Sequence, residues 1–163
     1  MAEQTSAEGN GAAAPQQRQL ALQKIYVRDA SFEVPNAPAV FREEGQPQVQ
    51  LNLSHKATPV ADGNFEVMLT LTVTCTLNER TAYLAEVQQA GLFAVIGFSQ
   101  DELNAVLGSY CPNVLFPYAR QIVSDLVQNG GFPPLLLQPI NFDALYAEQM
   151  QRDAGGDAPA LNA

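Results

Sequence analysis

One stretch of the chain alternates strictly between apolar and polar side chains, and this pattern constrains the fold most. Its apolar members are Phe65, Val67, Leu69, Leu71, Val73, Cys75 and Leu77. Side chains two residues apart lie on the same face of a β-strand, so a period of two gives one apolar face. The pattern is longer than a typical strand. It therefore predicts a long β-strand that buries one face.

Three further segments have strand character. Alternating apolar residues at Val49, Leu51 and Leu53 follow the Gly-Gln-Pro break at residues 45–47. Residues 78–80 form a short hairpin connection into a strand over residues 81–89. Residues 23–33 are rich in β-branched and aromatic side chains, which favour a strand that ends before Pro35.

The apolar period changes to that of a helix at Ser99, which can form a capping box with Glu102. The helix should break or restart at Pro112 and kink at Pro117 before it ends at Gly130. Its predicted apolar stripe comprises Leu103, Val106, Leu107, Tyr110, Leu115, Tyr118, Ala119, Ile122 and Leu126.

A last helix is predicted after Asn141, whose side chain can cap its first turn. One face of that helix would present Phe142, Leu145, Tyr146, Gln149 and Met150. Strands come first and helices second, which is the order of an α+β fold.

The two ends of the chain have few large apolar side chains. Residues 1–20 and 153–163 are expected to be a disordered arm and a flexible tail, which leaves one domain over residues 21–152. The start of the chain lacks the basic and apolar regions of a secretory signal. No apolar run approaches the about 20 residues of a membrane span. We therefore expect a cytoplasmic protein without membrane insertion.

The net charge of −9 opposes nucleic-acid binding, which depends on lysine and arginine. The same charge favours solubility and attracts basic partners. Cys75 and Cys111 are far apart in sequence and lie within apolar segments. We interpret both as reduced core residues.

No residues with catalytic or metal-binding spacing stand out. His55 is the only histidine. A zinc site usually needs four ligands, or three with an open position, and one histidine with two scattered cysteines is a poor set of ligands. The common nucleotide-binding and hydrolase motifs are absent. The adjacent Asp101 and Glu102 fit the first turn of a helix, where negative charge is stabilising. No catalytic residue is therefore predicted.

Two sets of residues share strand parity, so each set would emerge on one face of a sheet. They are Asp29, Ser31 and Glu33 in one set, and Leu84, Glu86 and Gln88 in the other. Together they could form an acidic docking surface. A plain solvated face would produce the same spacing, and the spacing alone does not separate these interpretations.

Several long motifs occur in the order found in SecB protein-export chaperones, and residues 23–151 resemble that family. The motifs follow Ile25, Tyr26 and Asp29, and read SFEVPNAP (31–38), AYLAEVQQAG (82–91), YCPNVLFPYAR (110–120) and PINFDAL (139–145). The resemblance implies a four-stranded antiparallel sheet with a long crossover loop between its first two strands. A long kinked helix and a shorter C-terminal helix would follow.

The resemblance also implies a function. SecB chaperones are homotetramers, built as dimers of dimers, that bind unfolded precursor proteins without ATP and deliver them to the SecA motor ATPase. By resemblance, SecA would dock on Asp29, Glu33, Leu84 and Glu86. The metal in that contact belongs to the zinc-bound basic segment of SecA, so no cofactor or metal is expected in this chain.

Clients would lie in apolar grooves between the crossover loop and the helices. The candidate wall is Phe41, Phe116, Phe132 and Tyr146, because aromatic surfaces accept many sequences. Tyr83, Ala85 and Val87 have the opposite parity to Glu86, so we expect them to face the helices and the subunit contacts. Family members often carry a tryptophan in the crossover loop, whereas this chain has none.

Two alternative functions remain open. A SecB-like chaperone dedicated to one client, such as an antitoxin, would keep the fold and the groove without needing the docking surface. An enzyme that uses carboxylates on the sheet would need a pocket of converging polar groups with shifted pKa values.

Overall fold

The computed structural model describes residues 17–155, in which four long strands precede three helices. The strands are β1 (Gln19–Glu33), β2 (Gln48–Ala61), β3 (Asn64–Leu77) and β4 (Arg80–Ile96). All neighbouring pairs are antiparallel, in the spatial order β1-β4-β3-β2. The connection from β1 to β2 therefore crosses the whole sheet, and it contains a single 3-10 turn (Ala39–Arg42). The predicted α+β fold and crossover are confirmed.

The predicted hairpin between β3 and β4 is a two-residue turn. Asn78 and Glu79 have φ angles of 50° and 64°, the left-handed pair that matches the twist of two antiparallel strands. β4 continues seven residues beyond the predicted end at Gln89, and β2 continues to Ala61. The β4 extension pairs with β3 and with β1, and the β2 extension pairs with β3. Sequence alternation alone did not reveal either extension.

The helices are α1 (Gln100–Ala105), α2 (Cys111–Asn129) and α3 (Phe142–Gly155). A π-helical turn (Val106–Tyr110) joins α1 to α2 without a break, so the two form one long helix. Pro112 lies in the first turn of α2, directly after this wider turn. The change in winding thus lies at the π-helical turn, and α2 remains helical through Pro117.

Two predicted helix starts are confirmed by their hydrogen bonds. Ser99 and Glu102 form the capping box, in which each side chain accepts from the other residue's backbone N–H. The side chain of Asn141 accepts from the backbone N–H of Ala144 at 3.0 Å. These short-range motifs need no tertiary context, which is why the sequence identified them.

The predicted apolar stripe of α2 is partly wrong. Leu115 and Ala119 are buried, but Tyr118 is 50% exposed. The face that packs on the sheet follows a spacing of four residues from Leu115 and continues through Val123 and Val127. Its buried members are Cys111, Pro112, Leu115, Phe116, Ala119, Val123, Ser124 and Val127.

The two chain ends are ordered slightly further than predicted. β1 begins at Gln19, inside the predicted arm, because this residue pairs with Ile96 of β4. α3 continues to Gly155, inside the predicted tail. The rest of the predicted arm and tail, residues 1–16 and 156–163, lies outside the described residues.

Candidate binding surfaces

The sheet has one face covered by α2 and one that no helix of the described residues covers, which we call the open face. The covered face contains the core residues of β4, including Tyr83, Ala85 and Val87. Gly91 also lies on it, since an added β-carbon would come within 3.0 Å of Leu115 on α2. Residues of opposite parity on β4 therefore lie on the open face.

The four residues predicted to bind SecA lie together on the open face. Glu33 is the cross-strand partner of Leu84, and the next open-face rows pair Ser31 with Glu86 and Asp29 with Gln88. The structure thus brings both predicted sets into one block, which we call the acidic end.

No basic residue offsets the charge within these rows. On β3 and β2 the three rows continue with uncharged side chains, namely Thr74, Thr72, Thr70, Gln50, Asn52 and Ser54. The Thr72 hydroxyl donates to the carboxylate of Glu86 at 3.2 Å. Asp29 and Glu33 are exposed, while Glu86 is half-buried. The acidic end is therefore a solvent-facing block of uncompensated negative charge.

A separate depression of about 480 Å³ lies between the crossover and the segment that follows α2. The rings of Phe41 and Phe132 meet here with centroids 5.1 Å apart, and Tyr83 lies 4.8 Å from Phe132. Phe41 is 50% exposed. Val49, Leu77, Pro134 and Leu135 add further apolar lining. We call this depression the aromatic groove.

The crossover wall of this groove is attached to the β3–β4 hairpin by polar contacts. Arg80 donates to the carboxylate of Glu43 at 2.7 Å and to the side-chain oxygen of Asn36 at 3.1 Å. Asn78 donates to the backbone oxygen of Glu44 at 3.0 Å. Sequence analysis missed Arg80, because its partners are more than 35 residues away and no local pattern marks them.

The four predicted groove residues are divided among three places. Phe41 and Phe132 line the aromatic groove, whereas Phe116 is only 4% exposed and packs edge-on against Phe142 with centroids 5.8 Å apart. Tyr146 lies against Gly108 of the π-helical turn and lines a different depression of about 340 Å³. The structure therefore pairs only Phe41 with Phe132.

α3 is attached to the π-helical turn by two contacts. The hydroxyl of the buried Ser109 donates to the carboxylate of Asp143. The Tyr146 ring occupies the space above Gly108, where a β-carbon would lie 2.7 Å from the ring. Gly108 thus provides a notch that lets α3 approach closely.

Tyr83, Ala85 and Val87 are at most 4% exposed within a single chain. They face the helices as predicted, but their own subunit already covers them. Burial raises the pKa of Tyr83, and it raises the pKa of the Cys111 thiol to about 12. Cys75 and Cys111 are buried free thiols, in line with their interpretation as core residues.

Among residues 17–155, no three histidine, cysteine or acidic side chains are arranged to hold a metal ion. His55 is half-buried, and burial lowers its pKa. None of the described helices combines the length and the apolar character of a membrane span.

Comparison with known proteins identifies one family over most of the chain. Residues 13–153 match the family model described as preprotein translocase subunit SecB. The protein-export protein SecB of Stenotrophomonas maltophilia is 52% identical over 157 residues, which cover 93% of this chain and 91% of the relative. SecB of Methylococcus capsulatus is 58% identical over 135 residues, which cover 83% and 87%.

A solved structure shares the fold at lower sequence similarity. It is a SecB-like chaperone of Mycobacterium tuberculosis in complex with an antitoxin peptide. The TM-score is 0.62 at 20% identity, and the match covers 74% of this chain and 90% of the other.

Proposed function

The chain belongs to the SecB family of protein-export chaperones, and from that premise we propose where it binds its partners. Unfolded precursor proteins bind in the aromatic groove, and the acidic end of the open face docks the SecA motor ATPase. The protein works in the cytoplasm without ATP, cofactor or catalysis. The open aromatic groove is the observation that best supports client binding.

The groove has the chemistry that a holding chaperone needs. Phe41 is half-exposed and Phe132 is partly exposed beside it, next to apolar side chains, and apolar burial is non-directional. Burial contributes about 25 cal/mol per Å², so one client side chain gains a modest free energy. Weak local contacts of this kind accept many sequences and release a client without an energy source.

The acidic end has the chemistry for a basic partner. Asp29, Glu33 and Glu86 carry like charges within three neighbouring rows, which steers a positively charged segment toward them. Leu84 adds an apolar contact in the same block. The attraction should weaken as salt screens the exposed charges.

A homotetramer is supported by apolar side chains that one chain leaves uncovered. Leu20, Leu22 and Val27 lie on the α2-facing side of β1 and are 36–43% exposed. Tyr118 of α2 is 50% exposed. Large exposed apolar areas of this kind are typical of interfaces. Several chains that hold one client would raise its affinity through effective concentration.

The test of client binding removes both aromatic walls. Phe41→Ala with Phe132→Ala should weaken binding of an unfolded precursor about ten-fold or more, as truncation of aromatic anchors does in other interfaces. Leu136→Ala is the matched control, since Leu136 is 76% exposed and lies outside the groove lining. Tetramer mass and SecA binding should stay unchanged.

Two outcomes would contradict this proposal. Wild-type protection against aggregation by the double variant would show that clients bind elsewhere. A wild-type protein that bound one antitoxin and ignored chemically diverse precursors would instead be a chaperone dedicated to a single client.

A further inference from the structure

The open face changes charge along its strands. Beyond the acidic end, the next two rows contain Tyr26, Ala90, Met68 and Lys56, followed by Lys24, Leu92, Glu66 and Thr58. Arg28 lies at an irregularity in the pairing of β1 with β4, between Val27 and Asp29. These two rows, together with Arg28, hold three cations and one carboxylate. We call them the basic end.

The only carboxylate in the basic end is already occupied. Arg28 forms an ion pair with Glu66, and the Tyr26 hydroxyl donates to the same carboxylate. The hydrogen bond to Glu66 is the main cause of the raised pKa of Tyr26, which keeps that hydroxyl protonated as a donor. Within residues 17–155, neither Lys24 nor Lys56 forms an ion pair. Two lysine charges are therefore available to a partner.

The basic end also has a shape that can receive a side chain. A depression of about 460 Å³ lies on the open face, lined by Lys56, Arg28, Glu66, Met68 and Val60 among others. Gln88 also lines it, and Gln88 belongs to the row of Asp29 in the acidic end. The depression is thus continuous with the proposed SecA-docking surface.

We propose that the segment of SecA that docks on the open face is bipartite. Its basic part lies on the acidic end, and an acidic side chain next to an apolar one enters the depression beside Lys56 and Met68. This inference rests on the proposed docking of SecA at the acidic end, and it adds the direction in which the docked segment runs along the strands. Reversal of the segment would place like charges together at both ends, so the charge division selects one orientation.

The spacing of the rows gives the reach that such a segment needs. Ala90, whose row contains Lys56, lies four residue steps beyond Glu86 on β4, and a strand rises about 3.3 Å per residue. The basic and acidic parts must therefore be separated by about 13 Å along the strands. An extended peptide covers that distance with about four residues.

The experiment is calorimetry of the full-length tetramer with full-length SecA at low salt. Lys56→Glu should weaken binding roughly five-fold, because it replaces an attraction by a repulsion at an exposed site. A partner segment that is basic throughout would instead bind this more acidic variant more tightly. Arg42→Glu, on the crossover, makes the same change in net charge away from the open face and is the matched control.

Glu86→Lys in the same series separates this inference from the function on which it rests. If Glu86→Lys weakens binding and Lys56→Glu leaves it unchanged or tighter, the bipartite segment is wrong while SecA docking at the acidic end stands. If neither variant weakens binding, SecA docks elsewhere and both proposals fail. If Lys56→Glu alters the mass of the free protein in light scattering, the basic end contacts a second copy of this chain, which also overturns the inference.

Discussion

The ring of Phe32 rests on the α-carbon of Gly130, and a β-carbon added to this glycine would lie 2.1 Å from the ring. The backbone of Gly130 has a φ angle of −76°, which any residue adopts, so only the lack of space requires glycine. Phe32 also stacks on Tyr83, which limits how far the ring can move.

Gly130→Ala should therefore destabilise the fold by about 1–3 kcal/mol, the usual cost of overpacking. The measurement is urea unfolding at a fixed protein concentration, since the assembly links stability to concentration. Gly155→Ala is the control, because nothing lies within 4 Å of its added β-carbon. Equal urea-unfolding midpoints for the two variants would show that the Phe32 ring moves aside without a measurable loss of stability.

Arg80→Ala should loosen the crossover while leaving the sheet intact. The arginine is about half-exposed and contacts Glu43 and Asn36, so we expect a loss of only about 0.2–1 kcal/mol in global stability. Local opening of residues 39–47 should increase more, and hydrogen exchange of this segment is the measurement. Client affinity should fall as the Phe41 wall becomes mobile.

The control for Arg80 is Arg18→Ala, which removes a 2.8 Å ion pair with Glu102 of comparable exposure at another place on the chain. Its hydrogen exchange in residues 39–47 should match that of the wild type. If both variants behave alike there, Arg80 does not position the crossover.

In the Ser109→Ala variant, α3 should separate transiently from the π-helical turn more often than in the wild type. The substitution removes a part-buried hydrogen bond to Asp143, and because this carboxylate is exposed and can bind water instead, we expect a loss of only about 0.5–1.5 kcal/mol. Hydrogen exchange of residues 142–155 should become faster. Gln121→Ala, which removes an exposed 2.8 Å hydrogen bond to Asp125 within α2, should leave α3 unchanged.

His55 should make stability depend on pH in the acidic range. Burial lowers its pKa below the ordinary 6.5, so the unfolded chain binds a proton at a higher pH than the folded protein does. The free energy of unfolding should therefore decrease as the pH falls from about 6.5 toward the folded pKa, and this effect should be absent above that window. Denaturation of wild type and His55→Gln across pH 5–8 measures it, and parallel profiles would contradict it.

Sequence predicted those parts of the fold that depend on neighbours along the chain. The alternation of β3, the Ser99 capping box and the Asn141 cap are local, and strand parity placed Asp29 with Glu33, and Leu84 with Glu86, each pair on one face of its own strand. The family resemblance supplied the crossover and the docking residues.

The remaining features depend on contacts between distant segments. Phe116 has the same chemistry as Phe132, and only the packing of α3 shows that one is core and the other lines the groove. The position of Arg28 on the open face depends on an irregularity in strand pairing. The contact between Glu43 and Arg80 depends on how the crossover runs past the β3–β4 hairpin, and no local sequence pattern shows that path.

The π-helical turn acts as an inserted residue within one long helix. Each residue of an α-helix turns the chain by about 100°, so regular winding of the same sequence would rotate everything before this turn by that amount relative to α2. The wider turn absorbs the surplus residue, and Leu103 keeps the direction that it would have in a regular helix one residue shorter. Deleting one residue between Val106 and Tyr110 would therefore restore regular winding and leave the direction of Leu103 unchanged, but it would disturb the notch at Gly108 that receives Tyr146. The surplus residue thus serves the attachment of α3 and not the direction of the helix.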